Sequence, residues 1–322
     1  MAQPGKPESF RGDFEPLAAV MADSWGQNQD QSLLYGLDFL RSAFAYPGAS
    51  FALAPTIYVE GRPAAFVAGF PRTVRLNSRE LHLLCMTLLT SSVEYKGRGY
   101  GSQVTVELLQ RAFESGFEGA ISFCVDGAVS NELLVACGKR LGADTRCVFS
   151  ARYLARLLRP AVPPTLPAAA PDVLDIFLSA AAQVPQSVPL IRLWSREEAE
   201  WQCLGRTGAL YAARRDGSRS GIVTGYLMEI IQQPPAKVLL LEDLLWGELE
   251  TRERLALLQE LLAQGVAAGA QMAVVPLMEY AETETLRKAG FRQSRRLMHM
   301  YWTALKNSYA PEPFAAAYVD VF

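Results

Sequence analysis

Apolar residues recur at helical spacing from Phe14 to Trp25 and from Leu33 to Phe44. The pattern then changes to β-branched and apolar runs separated by turn residues, over Phe51 to Val59, Ala64 to Leu76 and Leu81 to Val93, with Gly61-Arg62-Pro63 as the first break. Two helices followed by a three-stranded antiparallel meander are predicted. The helical period returns over Ser102 to Ser115, where Val104, Leu108, Leu109 and Ala112 share one side, and Ala120 to Val125 reads as a short buried strand, completing a strand, helix, strand crossover. Ser130 to Leu141 reads as another helix, closed by Gly142, and Thr145 to Tyr153 as a last strand.

The same order follows more weakly downstream. Helical segments at Val173 to Ala182 and Arg196 to Leu204 precede strands at Leu210 to Arg214, Gly221 to Ile231 and Lys237 to Leu245. A helix over Thr251 to Ala268, a strand over Gln271 to Pro276, a helix ending in LRKAGF (Leu286 to Phe291) and a strand over Arg296 to Leu305 complete it. Between the two series lies RPAVPPTLPAAAP, Arg159 to Pro171, with five prolines in thirteen residues, a composition that cannot continue a helix and makes a stiff connector. The pattern predicts an α/β chain (α+β, mixed sheet) of two similar units, 1–158 and 172–322, joined by the linker 159–171, each a mixed central sheet flanked by helices.

Composition narrows the function. With 322 residues, 50% hydrophobic and 20% charged, the chain is of ordinary globular type and long enough for two cores. Lys and Arg number 31 against 33 Asp and Glu, a net charge of -2 that excludes a general nucleic-acid binder. No apolar run reaches the roughly 18–20 residues of a membrane span and MAQPGKPESF lacks a signal core, so a cytoplasmic protein is expected. Cys85, Cys124, Cys137, Cys147 and Cys203 form no C-x-x-C pair, and with His82 and His299 alone a multi-histidine metal site is not expected.

The informative segment is Glu94 to Ser102, EYKGRGYGS, between an apolar strand and an amphipathic helix. Gly97, Gly99 and Gly101 let backbone N–H groups turn inward, and the helix adds its free donors and positive dipole end, an arrangement suited to phosphate. Neither the Walker nor the G-x-G-x-x-G spacing is met. Lys96-Gly97-Arg98-Gly99-Tyr100-Gly101 resembles the pyrophosphate loop of the GCN5-related N-acetyltransferase (GNAT) family, Gln/Arg-x-x-Gly-x-Gly/Ala, with Lys96 in the first place. Asn131 resembles the asparagine that opens a later helix in that family, and NELLVACGKRLG and LRKAGF resemble its ending. The resemblance covers about 14–153 well and about 172–305 in element order.

This resemblance implies two GNAT-like units and coenzyme A, with acetyl-CoA as default donor. The N–H groups of Gly97, Arg98, Gly99, Tyr100, Gly101 and Ser102 would hold the pyrophosphate, with Lys96 and Arg98 as nearby charges. The pantetheine would lie along Leu89, Thr90, Ser91 and Val93, with Asn131 in contact, and a backbone N–H near Ser91 would polarise the thioester carbonyl. Asp126 and Glu94 are the candidate bases, the expected strand offering no acid; Ser91 completes the catalytic set. A tyrosine that protonates the thiolate in many members is replaced by Gly138, leaving either lost activity or a wider channel for a longer chain. The second unit carries Trp246-Gly247-Glu248-Leu249-Glu250 in place of the loop, and its acids would repel pyrophosphate. Three functions stay open: N-acyl transfer from an acyl-CoA to a primary amine of a small molecule or peptide; transfer of a longer chain, or from an acyl carrier protein, to a peptide or amino acid; and acyl-CoA binding without transfer.

Overall fold

The computed structural model describes residues 5–26, 33–159, 172–217, 219–231, 236–305 and 310–321. The first half runs β1 (Glu8–Ser9), α1 (Phe14–Gly26), β2 (Leu33–Leu34), α2 (Leu37–Phe44), β3 (Pro55–Val59), β4 (Arg62–Leu76), β5 (Arg79–Ser91), α3 (Tyr100–Glu114), β6 (Gly119–Val125), α4 (Val129–Arg140) and β7 (Thr145–Leu157). The second half runs α5 (Val173–Ala182), β8 (Leu190–Leu193), α6 (Arg196–Glu200) with a π-helical turn Trp201–Gly205, β9 (Ala209–Asp216), β10 (Arg219–Ile230), β11 (Ala236–Leu245), α7 (Thr251–Ala267), β12 (Ala270–Pro276), α8 (Glu284–Lys288), β13 (Arg292–Ala304) and β14 (Ala317–Tyr318). The expected proline-rich linker, Arg159 apart, lies outside the described residues.

Departures from the sequence pattern have local causes. Leu33 and Leu34 pair with Ile230 and Glu229 on the edge of β10, and the helix starts only after the extended Gly36. Phe51–Leu53 forms a 3-10 turn capped by the Ser50 hydroxyl, so the strand begins at Pro55. The short strands β8 and β14 exist through long-range pairing, β8 with β4 and β14 with β8, which no local period encodes.

Fourteen strands among the described residues form one mixed sheet. Its main path is β1-β3-β4-β5-β6-β13-β7-β12-β11-β10-β2, so the halves exchange strands. β13, from the end of the chain, lies between β6 and β7 of the first half, and β7 reaches across to pair Tyr153–Leu157 with Pro276–Met272 of β12. Each half supplies the strand that covers the other's edge, which would otherwise expose a row of unpaired N–H and C=O groups.

Helices α3 and α4 cover one face of the first half over Leu84, Val104, Leu108 and Ala120; α1 and α2 cover the other over Phe66, Ala68, Phe70 and Leu88. In the second half α7 packs Leu257, Leu258 and Leu261 on Leu239 and Val275. The C-terminal segment crosses the middle of the sheet. Phe314 stacks on Phe149 with centroids 6.0 Å apart, Tyr318 is 1% exposed, and the Asp320 carboxylate bonds both Arg72 and Arg192. The aromatic ending is thus part of the core. No helix among the described residues is long and apolar enough to cross a membrane.

Because β13 belongs to both halves, a cavity in it should weaken both. Met300 is fully buried there, and Met300→Ala is expected to cost about 2–5 kcal/mol. Denaturant unfolding followed by fluorescence and by far-UV dichroism should show one transition at a lower midpoint, not the loss of one of two.

Candidate active site

Strands β5 and β6 run parallel only over Leu83–Met86 against Gly119–Ser122; past Met86 they part, because β5 follows β4 while β6 follows β13. At that point β5 is bulged. Its register against β4 slips between Phe66 and Ala68, and Leu88 takes a φ of 60°, a left-handed value that costs a bulky residue on the order of 1–3 kcal/mol. The extra residue swaps the faces: Leu84, Met86 and Leu89 pack under α3, whereas Leu88 packs under α1 and α2. Beyond the bulge the Ser92 N–H donates to Ala64 O at 2.8 Å, so the alternation of an antiparallel ladder turns the Ser91 N–H away from β4, toward the split.

The glycine segment follows directly. A 3-10 turn, Val93–Tyr95, leads to Gly97 and Gly99 with φ of 81° and 75°, and α3 starts at Tyr100. A Cβ on either glycine would meet no atom within 4 Å, so both are required for their backbone angles and leave open space in front of the helix. Gly101 is a close approach, its Cβ position 3.1 Å from Ser91 Oγ. The N–H groups of Tyr100, Gly101 and Ser102 lie in the first helical turn and have no intrahelical acceptor. Those of Lys96 and Arg98 are used within the turn, by Val93 O and Tyr95 O. Lys96 and Arg98 are exposed, with the Arg98 guanidinium 5.2 Å above the Tyr95 ring, and the Tyr100 side chain is buried.

Thr90 is buried and accepts a hydrogen bond from Trp25 Nε1 at 2.6 Å, facing α1. Val93 is half-buried, and Glu94 is exposed on the 3-10 turn beside the Tyr95 hydroxyl. Asn131, on α4, donates from Nδ2 to Val125 O at 3.2 Å, while its buried Oδ1 has no partner among the described residues. The end of β6 is therefore held by α4.

Asp126 enters a chain of side chains that no sequence spacing reveals. Its Oδ1 lies 3.2 Å from His299 Nε2, and His299 Nδ1 lies 2.8 Å from Ser150 Oγ, joining β6, β13 and β7. His299 sits opposite Cys124 and faces the α4 side, since Met298, Met300 and Trp302 face the other way. Asp126 thus stands on the same face as the glycine segment. Gly138 requires a correction: it leaves no wider channel. A Cβ there would lie 2.0 Å from Thr145 Oγ1, so the glycine exists to let α4 approach β7.

The second half repeats the bulged split and closes it. β11 parallels β12 over Lys237–Leu240, then slips against β10 between Val223 and Gly225, placing Glu242 and Asp243 at the bulge. Into this split comes the Tyr280 hydroxyl, which accepts from the Leu244 N–H at 2.8 Å and donates to Glu242 O at 3.2 Å. Five residues join β11 to α7, against eight between β5 and α3. The α7 N-terminus is capped by Glu250 and Glu253 in a reciprocal box, so its donors already face carboxylates.

No protein-family model matches the sequence, and no curated protein matches it significantly. Solved structures do. Saccharomyces cerevisiae N-myristoyltransferase with bound myristoyl-CoA is 12% identical, over 95% of this chain and 80% of that one, with a TM-score of 0.73. A second structure of that protein with bound myristoyl-CoA matches equally, over 84% of its chain. A GCN5-related N-acetyltransferase from Anabaena variabilis is 14% identical, over 93% of this chain and 72% of that one, with a TM-score of 0.53. The chain therefore has the GNAT fold, and at these identities the likeness is one of fold.

If Gly138 is a packing glycine, adding a methyl group there must push α4 from β7. Gly138→Ala is expected to lower stability by about 1–3 kcal/mol, measured by urea denaturation, and Thr145→Ser in the same chain, which keeps Oγ1, should recover little of it.

Proposed function

We propose that this GNAT-fold chain is an acyl-coenzyme A dependent N-acyltransferase with one working site, in the first half. The observation that carries the reading is the bulged β5, parting from β6 beside a left-handed glycine turn at the head of α3. The residues fit coenzyme A. Open space before Gly97 and Gly99, the free N–H groups of Tyr100, Gly101 and Ser102, and the Lys96 and Arg98 charges suit a pyrophosphate. The unpaired edge of β5 beyond Met86 suits an extended amide arm, with Leu89, Thr90, Ser91 and Val93 along it and Asn131 opposite. When bound, coenzyme A supplies the acyl group as an activated thioester.

The chain's own contribution is positional and electrostatic. The Ser91 N–H, aimed into the split, is placed to hydrogen-bond the thioester oxygen, where charge grows in the transition state. The bulge holds it there rigidly. Asp126 and Glu94 stand on the cofactor's side of the sheet, Asp126 bound to His299. The acceptor is a primary amine, of a small molecule or a peptide, and it must approach the carbon from the face that the cofactor leaves open. The second half binds no coenzyme A in this reading, because Tyr280 fills its split and carboxylates cap its helix. The solved structures with bound myristoyl-CoA favour an extended acyl chain over acetyl as the donor's cargo.

Calorimetry with coenzyme A, acetyl-CoA and myristoyl-CoA tests both parts. One equivalent per chain is expected, and Gly99→Glu with Gly101→Glu should weaken binding at least tenfold, through backbone strain and repulsion of the pyrophosphate. Unchanged binding in the double variant would remove the assignment. The ratio of the two acyl-CoA affinities reads the chain length.

A further inference from the structure

Both neighbours of β7 leave it at the same place. On one side β12 ends at Pro276, opposite Tyr153, and Leu277 turns off after its N–H bonds Arg152 O. On the other, β13 advances from Gln293 to Leu297 while its partners on β7 go only from Leu154 to Arg152, so residues of β13 bulge out of the ladder. Where the strands part lies a cavity of about 480 Å³, in the usual range of small-ligand sites. Its floor is Ser150, Arg152 and Leu154, alternate residues of β7, while Ala151 and Tyr153 between them face the other side. Leu154 packs in the cluster under α7, and Ser150 bonds His299, which faces α4. The cavity therefore opens on the face that carries the glycine segment.

Its lining is mostly of one charge. Arg152, Arg287 and Arg292 line it, against Glu279 as the one acid. None of the three arginines makes an ion pair or a side-chain hydrogen bond among the described residues, although Arg192, Arg206 and Arg254 nearby in sequence do. Positive groups converging on one opening raise the potential within it, and a guanidinium fork matches a carboxylate or phosphate through two parallel hydrogen bonds. Leu154, Leu277 and Phe291 supply an apolar wall beside the charges. Glu279 is held at a φ of 58° by its bridge to Ala317, a left-handed strain of the kind that gathers at ligand sites.

The cavity is tied to the candidate base. The Asp126 N–H bonds Leu297 O at 3.0 Å, and Leu297 stands opposite Arg152. Asp126 and Arg152 thus lie in one row across β6, β13 and β7, two strand spacings or roughly 10 Å apart. A parallel chain of side chains, Asp126 to His299 at 3.2 Å and His299 to Ser150 at 2.8 Å, makes the same crossing. We propose that the acceptor is an acidic peptide, with its N-terminal amine at Asp126 and a carboxylate or phosphate about three residues along it held in this cavity by Arg152, Arg287 and Arg292. The inference rests on the acyltransferase reading above. An extended peptide rises about 3.3 Å per residue, so three residues match the crossing. A free α-amino acid, whose two charges sit on one carbon unit, is too short to reach both ends.

Calorimetry on the full chain saturated with coenzyme A tests the acid site without turnover. The probes are Gly-Ala-Glu-Ala amide, the same peptide with phosphoserine for glutamate, the same peptide with glutamine, and Gly-Glu-Ala-Ala amide. At least one of the first two should bind roughly tenfold or more tightly than the glutamine peptide, and the better of them names the acid group. The gain should shrink as salt rises and should be smaller with the acid one place nearer the amine. Arg152→Gln with Arg287→Gln, both exposed positions, should remove the gain while the urea midpoint and the affinity for coenzyme A stay as they were. In thiol release from acetyl-CoA and myristoyl-CoA, the double variant should bring the ratio of kcat/KM between acidic and glutamine peptides close to one, mainly through KM. Equal binding of acidic and glutamine peptides, a gain that survives the double substitution, or an equal gain from the nearer acid overturns the acceptor assignment alone. Absence of coenzyme A binding overturns the acyltransferase reading and this assignment with it.

Discussion

The position of β13 between β6 and β7 is the constraint from which the site follows. A strand in a sheet takes its direction from its neighbours, and β6 has two: β5, along four residues, and β13, along seven. The longer ladder wins, and β6 follows β13 away from β5. The bulge at Leu88 turns β5 the other way and spends left-handed backbone on a leucine to do so. A split with one unpaired edge, an aimed N–H and a helix N-terminus beside it is the result. It is rigid because both of its walls are interior strands of one sheet.

The two halves show how one frame serves two ends. Both have the bulge, at Leu88 and at Glu242, and both have a parallel ladder that stops just short of it. In the first, glycines and free donors face the opening. In the second, a tyrosine hydroxyl makes the backbone bonds that a ligand's amide would make, and carboxylates occupy the helix end. Buried backbone groups must find partners, so a split without a ligand has to be filled from within.

Much of this was legible in the chain. Glycines at alternate positions before an amphipathic helix encode a local turn, and Gly97 and Gly99 take the angles that make them necessary. The bulge was not legible, since the run LLCMTLLTSS is apolar on both faces and has no alternation to break. The bond from Asp126 to His299 spans 173 residues of sequence, and the exchanged strands that create it leave no periodic trace. Gly138 shows a different limit. From a motif it is a missing tyrosine; in three dimensions it is the contact between α4 and Thr145.

Strand exchange also orders events in time. Val125 leaves the ribosome about 170 residues before Met298, its partner, so at roughly 5–20 residues per second the outer edge of β6 stays unpaired for on the order of ten to thirty seconds. During synthesis the first half can form its helices and the β3–β5 meander, but the split cannot take its final width until β13, Arg292–Ala304, has emerged. A ribosome that stops early releases a chain with its glycine turn in place and a sticky flank beside it, a substrate for chaperones rather than a smaller finished fold.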